Sequence, residues 1–153
     1  MGIKYITLTL VLFTSILIAQ TRPPENENSM RNRAEKIHKS VITIDTHNDI
    51  DVSNFTADIN YTSDLDTQVN IPKMIEGGLD VSWLIVYSGQ GELDKQGYKM
   101  AYKNAIEKFD AIHRLVDTYA PDQIELALTA KDVQRIHAKG KKVAMIGVEN
   151  AYP

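Results

Sequence analysis

Three β-branched runs separated by stretches of helical periodicity constrain this chain more than any other feature. The runs are Val41-Ile42-Thr43-Ile44, Val81-Ser82-Trp83-Leu84-Ile85-Val86-Tyr87 and Lys142 to Val148, and each reads as a strand. Between the second and third, Tyr98, Ala101, Ala105, Phe109, Ile112, Val116 and Tyr119 recur at steps of three and four. That stripe predicts one long amphipathic helix, stopped by Pro121. Thr129 and Asp132 resemble a capping box opening a further helix with Val133 and Ile136, which stops at Gly140. Ile71 to Glu76 predicts a short helix with Pro72 near its start and Gly77 at its stop. Ser29 is placed to cap a helix from Met30 to about His38, with Met30, Ala34 and Ile37 on one face. Ile124 to Leu128 allows a short extra strand. Strands alternating with helices argue for a parallel sheet with crossover helices. The polar stretch from Ile50 to Asn70 shows no period, and a loop of that length is usually functional or disordered.

The N-terminus calls for a different reading. Lys4 precedes an uncharged apolar run from Ile6 to Ala19, too short to span a bilayer comfortably. Position, flank and length fit a secretory signal peptide over residues 1–20, cleaved after Ala19 or Gln20. The expected location is therefore outside the cytoplasm, periplasmic or extracellular, with no stable membrane insertion after cleavage; an uncleaved anchor is the other reading. Residues 21–28, with Pro23 and Pro24, read as a flexible leader, and residues 29–153 as one domain. The chain has no cysteine, which excludes disulfides, a thiolate metal site and a lipoprotein anchor. A net charge of -3 with both signs interspersed gives no support to nucleic-acid binding.

In parallel α/β folds, ligands bind at the carboxyl ends of the strands. His47 and Asp49 fall just past the first strand and Glu149 at the end of the last, so all three are expected at one rim. Residues i and i+2 of an extended segment project to the same side, so His47 and Asp49 could reach one cation. Imidazole nitrogen and carboxylate oxygen both suit zinc. The same residues also read as an ordinary loop His and Asp, and Glu149 as a helix cap.

The words around these residues carry a resemblance. Val41 to Asp49, reading Val-Ile-Thr-Ile-Asp-Thr-His-Asn-Asp, resembles the first metal-binding motif of the membrane (renal) dipeptidases. Asn70-Ile71-Pro72-Lys73-Met74 with Glu76-Gly77-Gly78-Leu79-Asp80 resembles their next segment, and Trp83 to Tyr87 their second strand. Ile146-Gly147-Val148-Glu149-Asn150 resembles the segment carrying their bridging glutamate. Asp49 favours this family over amidohydrolases with His-x-His at the same strand end.

The resemblance implies the N-terminal part of a (β/α)₈ TIM-like barrel, with about three core strands and crossover helices. It implies two zinc ions in the barrel mouth, His47 and Asp49 holding one and Glu149 bridging both as the catalytic carboxylate. A dipeptide is the implied substrate, attacked by a zinc-activated water. The family's remaining ligands are histidines of the second barrel half, which this sequence does not include, so the portion given is expected to be inactive alone. His113, His137 and His38 lie on helices and are expected to pack, face solvent or sit at a helix end. Two other functions stay open: a secreted α/β binding module without chemistry, and a related metal-dependent amide or lactone hydrolase.

Overall fold

The structure, a computed structural model, describes residues 26–152. The expected signal peptide lies outside the described residues. No helix among the described residues is long and apolar enough to cross a membrane.

Helix α1 runs Glu27–His38. It starts three residues before the expected Met30, because Asn26 rather than Ser29 is the cap. The Asn26 side chain accepts the Ser29 N–H at 2.8 Å, and Glu27 in the first turn suits the helix dipole. The expected leader therefore gives up Glu27 and Asn28 to the helix. Its apolar stripe buries nothing among the described residues, and Met30 and Ile37 stay exposed.

The sheet contains β1 Ile44–Asp49, β2 Val81–Tyr87, β3 Ile124–Leu126 and β4 Lys142–Glu149, in the order β1-β2-β4-β3 with every ladder parallel. The three expected core strands are joined by the short extra one allowed at Ile124 to Leu128: β3, an edge strand that pairs only with Lys142 to Ala144. Strand β1 is shifted relative to the β-branched run. Its ladder to β2 extends through Asn48 and Asp49, so His47 and Asp49 belong to the strand rather than to the loop beyond it. Backbone pairing with β2, not side-chain propensity, decides this boundary.

Between β1 and β2 lies α2, Ile71–Gly77. Asn70 caps its start, and Gly78 ends it at φ 67°, one residue later than expected. A side chain at Gly78 would also meet the His38 ring, its Cβ lying 2.6 Å from Nε2. Helix α3, Lys95–Arg114, continues into a π-helical turn at Leu115–Tyr119 that buries Leu115 and Val116. Helix α4, Ala130–Ala138, carries the full capping box of Thr129 and Asp132.

Strand alternation directs two cores to opposite faces. Leu84, Val86 and Ala144 pack with Ile112 and Leu115 on one. Val81 and Val143 pack with Val133 and Ile136 of α4 on the other, near the strand starts. Asp80, between α2 and β2, fastens this end. Its carboxylate accepts the Thr43 N–H at 3.0 Å and the Thr43 hydroxyl at 3.1 Å, and stands 3.5 Å from Lys142.

The stretch from Ile50 to Asn70 is ordered. Phe55 is fully buried, its ring 4.5 Å from that of Tyr61. Burying such a side chain contributes about 1.5–3 kcal/mol. Its turns close on two buried asparagines. Asn60 donates to Thr56 and Ala57 carbonyls and accepts from Thr62, while Asn70 donates to the Leu65 carbonyl. Side chains replacing the regular ladder explain why no periodicity is visible here.

Candidate metal centre

His47 and Asp49 stand on β1, and Glu149 ends β4; β2 lies between these strands. Adjacent strands are about 4.8 Å apart, so β1 and β4 are separated by about twice that in a flat sheet. Even so, His47 Nε2 lies 3.1 Å from Glu149 Oε2 and 3.7 Å from Asp49 Oδ1. One ligand atom from each residue falls within 4.8 Å of the others. Long side chains leaning across the end of β2 close this gap. All three side chains are about half exposed, so the cluster opens to solvent.

Local structure aims each of them. The β1–β2 register shifts between Asp45 and Asn48, an irregularity of the kind that re-aims a side chain. Asp45 holds it: Oδ1 accepts the His47 N–H at 3.0 Å and Oδ2 accepts Asn48 Nδ2 at 2.6 Å. Asn48 is buried and also donates to the buried Ser82 hydroxyl at 3.0 Å. On β4, Gly147 sits two residues before Glu149 on the same face. A Cβ there would lie 2.7 Å from Ile85 Cδ1 and 3.2 Å from the Trp83 ring, so glycine leaves these side chains room below the cluster. Asn150 follows at φ 68°, the left-handed region that asparagine tolerates, and donates to the Ser88 carbonyl at 2.7 Å.

The donor set fits zinc. Bonds of about 2.0–2.2 Å place two ligand atoms of one tetrahedral ion about 3.4 Å apart. The two His47 distances, 3.1 and 3.7 Å, bracket that spacing. Among the described residues this is the one group of three or more such side chains so arranged.

The other histidines sit apart. His113 faces Asp117 at 3.3 Å, His137 lies 3.7 Å from Asp80, and His38 Nε2 meets the Gly78 carbonyl at 3.1 Å. Sequence reasoning missed Asp45, Asn48, Ser82, Gly147 and Asn150. The alternation of Asp45, His47 and Asp49 was a signal for the first of these, but the irregular register breaks the simple two-residue period.

Beside the cluster opens a polar cleft of about 750 Å³. Asp45, His47 and Asp49 form one side, and Asp51, Tyr61, Asp66 and Lys73 of the ordered loop and α2 the other. Hydrogen bonds from Ser53 hold the Asp51 carboxyl below the usual carboxylate range.

Comparison with known proteins agrees with this arrangement. Residues 31–153 match the family described as membrane dipeptidase, peptidase family M19. A dipeptidase, tcpJ, of Claviceps purpurea (strain 20.1) is 24% identical over 95 residues, 60% of this chain and 22% of its own. The crystal structure of the probable dipeptidase PvdM from Pseudomonas aeruginosa superposes with a TM-score of 0.75 at 18% identity, covering 84% of this chain and 33% of that one. That of dipeptidase AC, a metallopeptidase of family M19, gives a TM-score of 0.56 at 21% identity, covering 73% and 36%. The chain thus spans about a fifth to a third of the length of these relatives. Its parallel sheet and crossover helices fit part of a TIM-type barrel. With the family match running over most of its length, the chain belongs to the membrane dipeptidases, the metallopeptidases of family M19.

Proposed function

We propose that this chain supplies part of the active site of a zinc-dependent dipeptidase. His47 and Asp49 would hold one ion, and Glu149 would contribute its carboxylate to the same centre. The observation that carries this reading is the convergence of an imidazole and two carboxylates from β1 and β4 across the end of β2. Bound zinc would supply polarisation of the scissile carbonyl and a water acidified toward neutrality.

The chain's own residues do the rest. Glu149 would supply negative charge that offsets the repulsion of cations held at this centre. Asp45 fixes the His47 backbone and so the direction of its ring. Asn48 and Ser82 hold that turn from beneath. The half-exposed cluster and the cleft beside it leave room for a small peptide. Two ions would need more donors than these three side chains offer, and this chain alone is expected to be inactive. The export expected from residues 1–20 places the activity outside the cytoplasm.

The test is hydrolysis of a dipeptide panel by the whole natural protein with zinc supplied. Glu149→Gln preserves shape but removes the negative charge, and activity should fall by several orders of magnitude. Wild-type turnover in that variant would refute the reading. Hydrolysis of simple amides or lactones but of no dipeptide would favour a related hydrolase.

A further inference from the structure

The ordered loop between β1 and α2 brings one side chain to the cleft that the chain itself does not use. Tyr61 is 4% exposed, yet its hydroxyl lines the cleft and finds no hydrogen-bond partner among the described residues. No wholly buried side-chain polar atom among the described residues lacks a partner, so the phenol oxygen opens to the cleft and is available to what binds there. The ring is fixed by its tilted contact, 41° between planes, with the fully buried Phe55. The backbone is fixed too, since the Tyr61 carbonyl accepts the Ile71 N–H at 2.9 Å. Burial, with the charge of Asp51 added, pushes the phenol up to about 12, so the group stays neutral.

The charges around it have one dominant sign. Asp66 lines the same cleft and has no partner among the described residues. Asp51 adds a second carboxylate. The neighbouring cation, Lys73, is already committed: its Nζ donates to the Leu65 and Thr67 carbonyls at 2.8 and 2.7 Å. It braces the loop, and its single positive charge leaves the carboxylates of Asp45, Asp49, Asp51 and Asp66 that line the cleft in excess. A neutral phenol oxygen beside two carboxylates matches a cation that carries N–H donors.

We propose that Tyr61, Asp66 and Asp51 form a specificity subsite for the basic side chain of a peptide substrate bound at the adjacent His47–Asp49–Glu149 cluster. The phenol oxygen accepts one N–H of the side chain, and the Asp66 carboxylate accepts another and meets its charge. A cleft of about 750 Å³ holds a whole lysine-sized side chain, well beyond what one ammonium group needs. This rests on the peptidase reading for the identity of the ligand, but not for the existence of the subsite.

Two measurements on the whole natural protein test it. The first is kcat/KM, with zinc supplied, for dipeptides of alanine with lysine or with norleucine, in both orders. In one order lysine should be preferred by about tenfold, and Tyr61→Phe and Asp66→Asn should each lower that ratio severalfold. The second is calorimetric binding of lysine amide and norleucine amide to the metal-free protein. Both carry the same α-ammonium, so the difference isolates the side chain, and lysine amide should bind about tenfold tighter in the wild type only. Selective binding without any dipeptide hydrolysis would uphold the subsite and sink the peptidase reading. Dipeptide hydrolysis with equal ratios for lysine and norleucine, or a preference that survives both variants, would overturn the subsite. Equal binding of the two amides would overturn it as well.

Discussion

Glu149 and Asn150 divide two tasks at the end of β4. Glu149 reaches across β2 toward His47, and Asn150 turns the chain away in a conformation few other residues accept. Asp45 plays the corresponding part on β1, spending both oxygens on the backbone and side chain that follow. His113 shows the contrast: it has an acidic neighbour, Asp117, but one from its own helical surface and with no third donor. Zinc affinity should separate these environments. Asp49→Asn keeps the His47 imidazole but removes an anionic oxygen, and should weaken zinc at least about tenfold. His113→Gln should leave the affinity within about twofold. Competition against a chromogenic chelator measures both; equal effects of the two substitutions would contradict the assignment.

Among the elements, those with a strong period were legible and those held by side chains were not. The runs at Val81 to Tyr87 and Lys142 to Val148 became β2 and β4, and the Thr129–Asp132 pair capped α4 as its residues require. The stripe from Tyr98 to Val116 became α3 and its π-helical turn. Strand β1 was displaced because its polar residues are recruited by the edge of β2, which no local pattern in Ile44 to Asp49 announces. The cleft wall at Ile50 to Asn70 was legible only as a long polar loop, since Asn60, Asn70 and Lys73 organise it through backbone carbonyls. The role of Asp80 was likewise silent in sequence, though it joins Thr43 at the start of β1 to α4 and β4. Burial alone would raise its pKa, but the Thr43 hydrogen bonds and the charges of Lys142 and His137 outweigh burial and hold it below the ordinary 3.8. A carboxyl lowered by folding stabilises the folded state above its ordinary pKa, and that contribution is lost as pH falls through the lowered value. Asp80→Asn should therefore destabilise the metal-free protein by about 1–2 kcal/mol at pH 7 and by much less at pH 3. Urea titrations at the two pH values measure this, and an equal loss at both would show that the charge is irrelevant.

At the scale of the whole molecule, the sheet has two open sides. The outer edge of β1 has no partner among the described residues, and β3 pairs β4 only as far as Ala144. Glu149 therefore ends a strand whose far edge is free, and Val148 beside it stays exposed. The same rim carries three metal-type ligands, enough for one ion but too few for two. The parallel sheet fits part of a TIM-type barrel, and the zinc centre we propose would draw its further ligands from the rest of such a barrel. Counting zinc tests that directly: metal analysis after exhaustive dialysis, on this chain alone and on the whole natural protein. Two tightly held ions per whole protein, at most one weakly held ion on the chain alone, and loss of tight binding in Glu149→Gln are the expected results. A whole protein that retains no zinc, or a Glu149→Gln variant that keeps two ions, would contradict the assignment of His47, Asp49 and Glu149 as a metal centre.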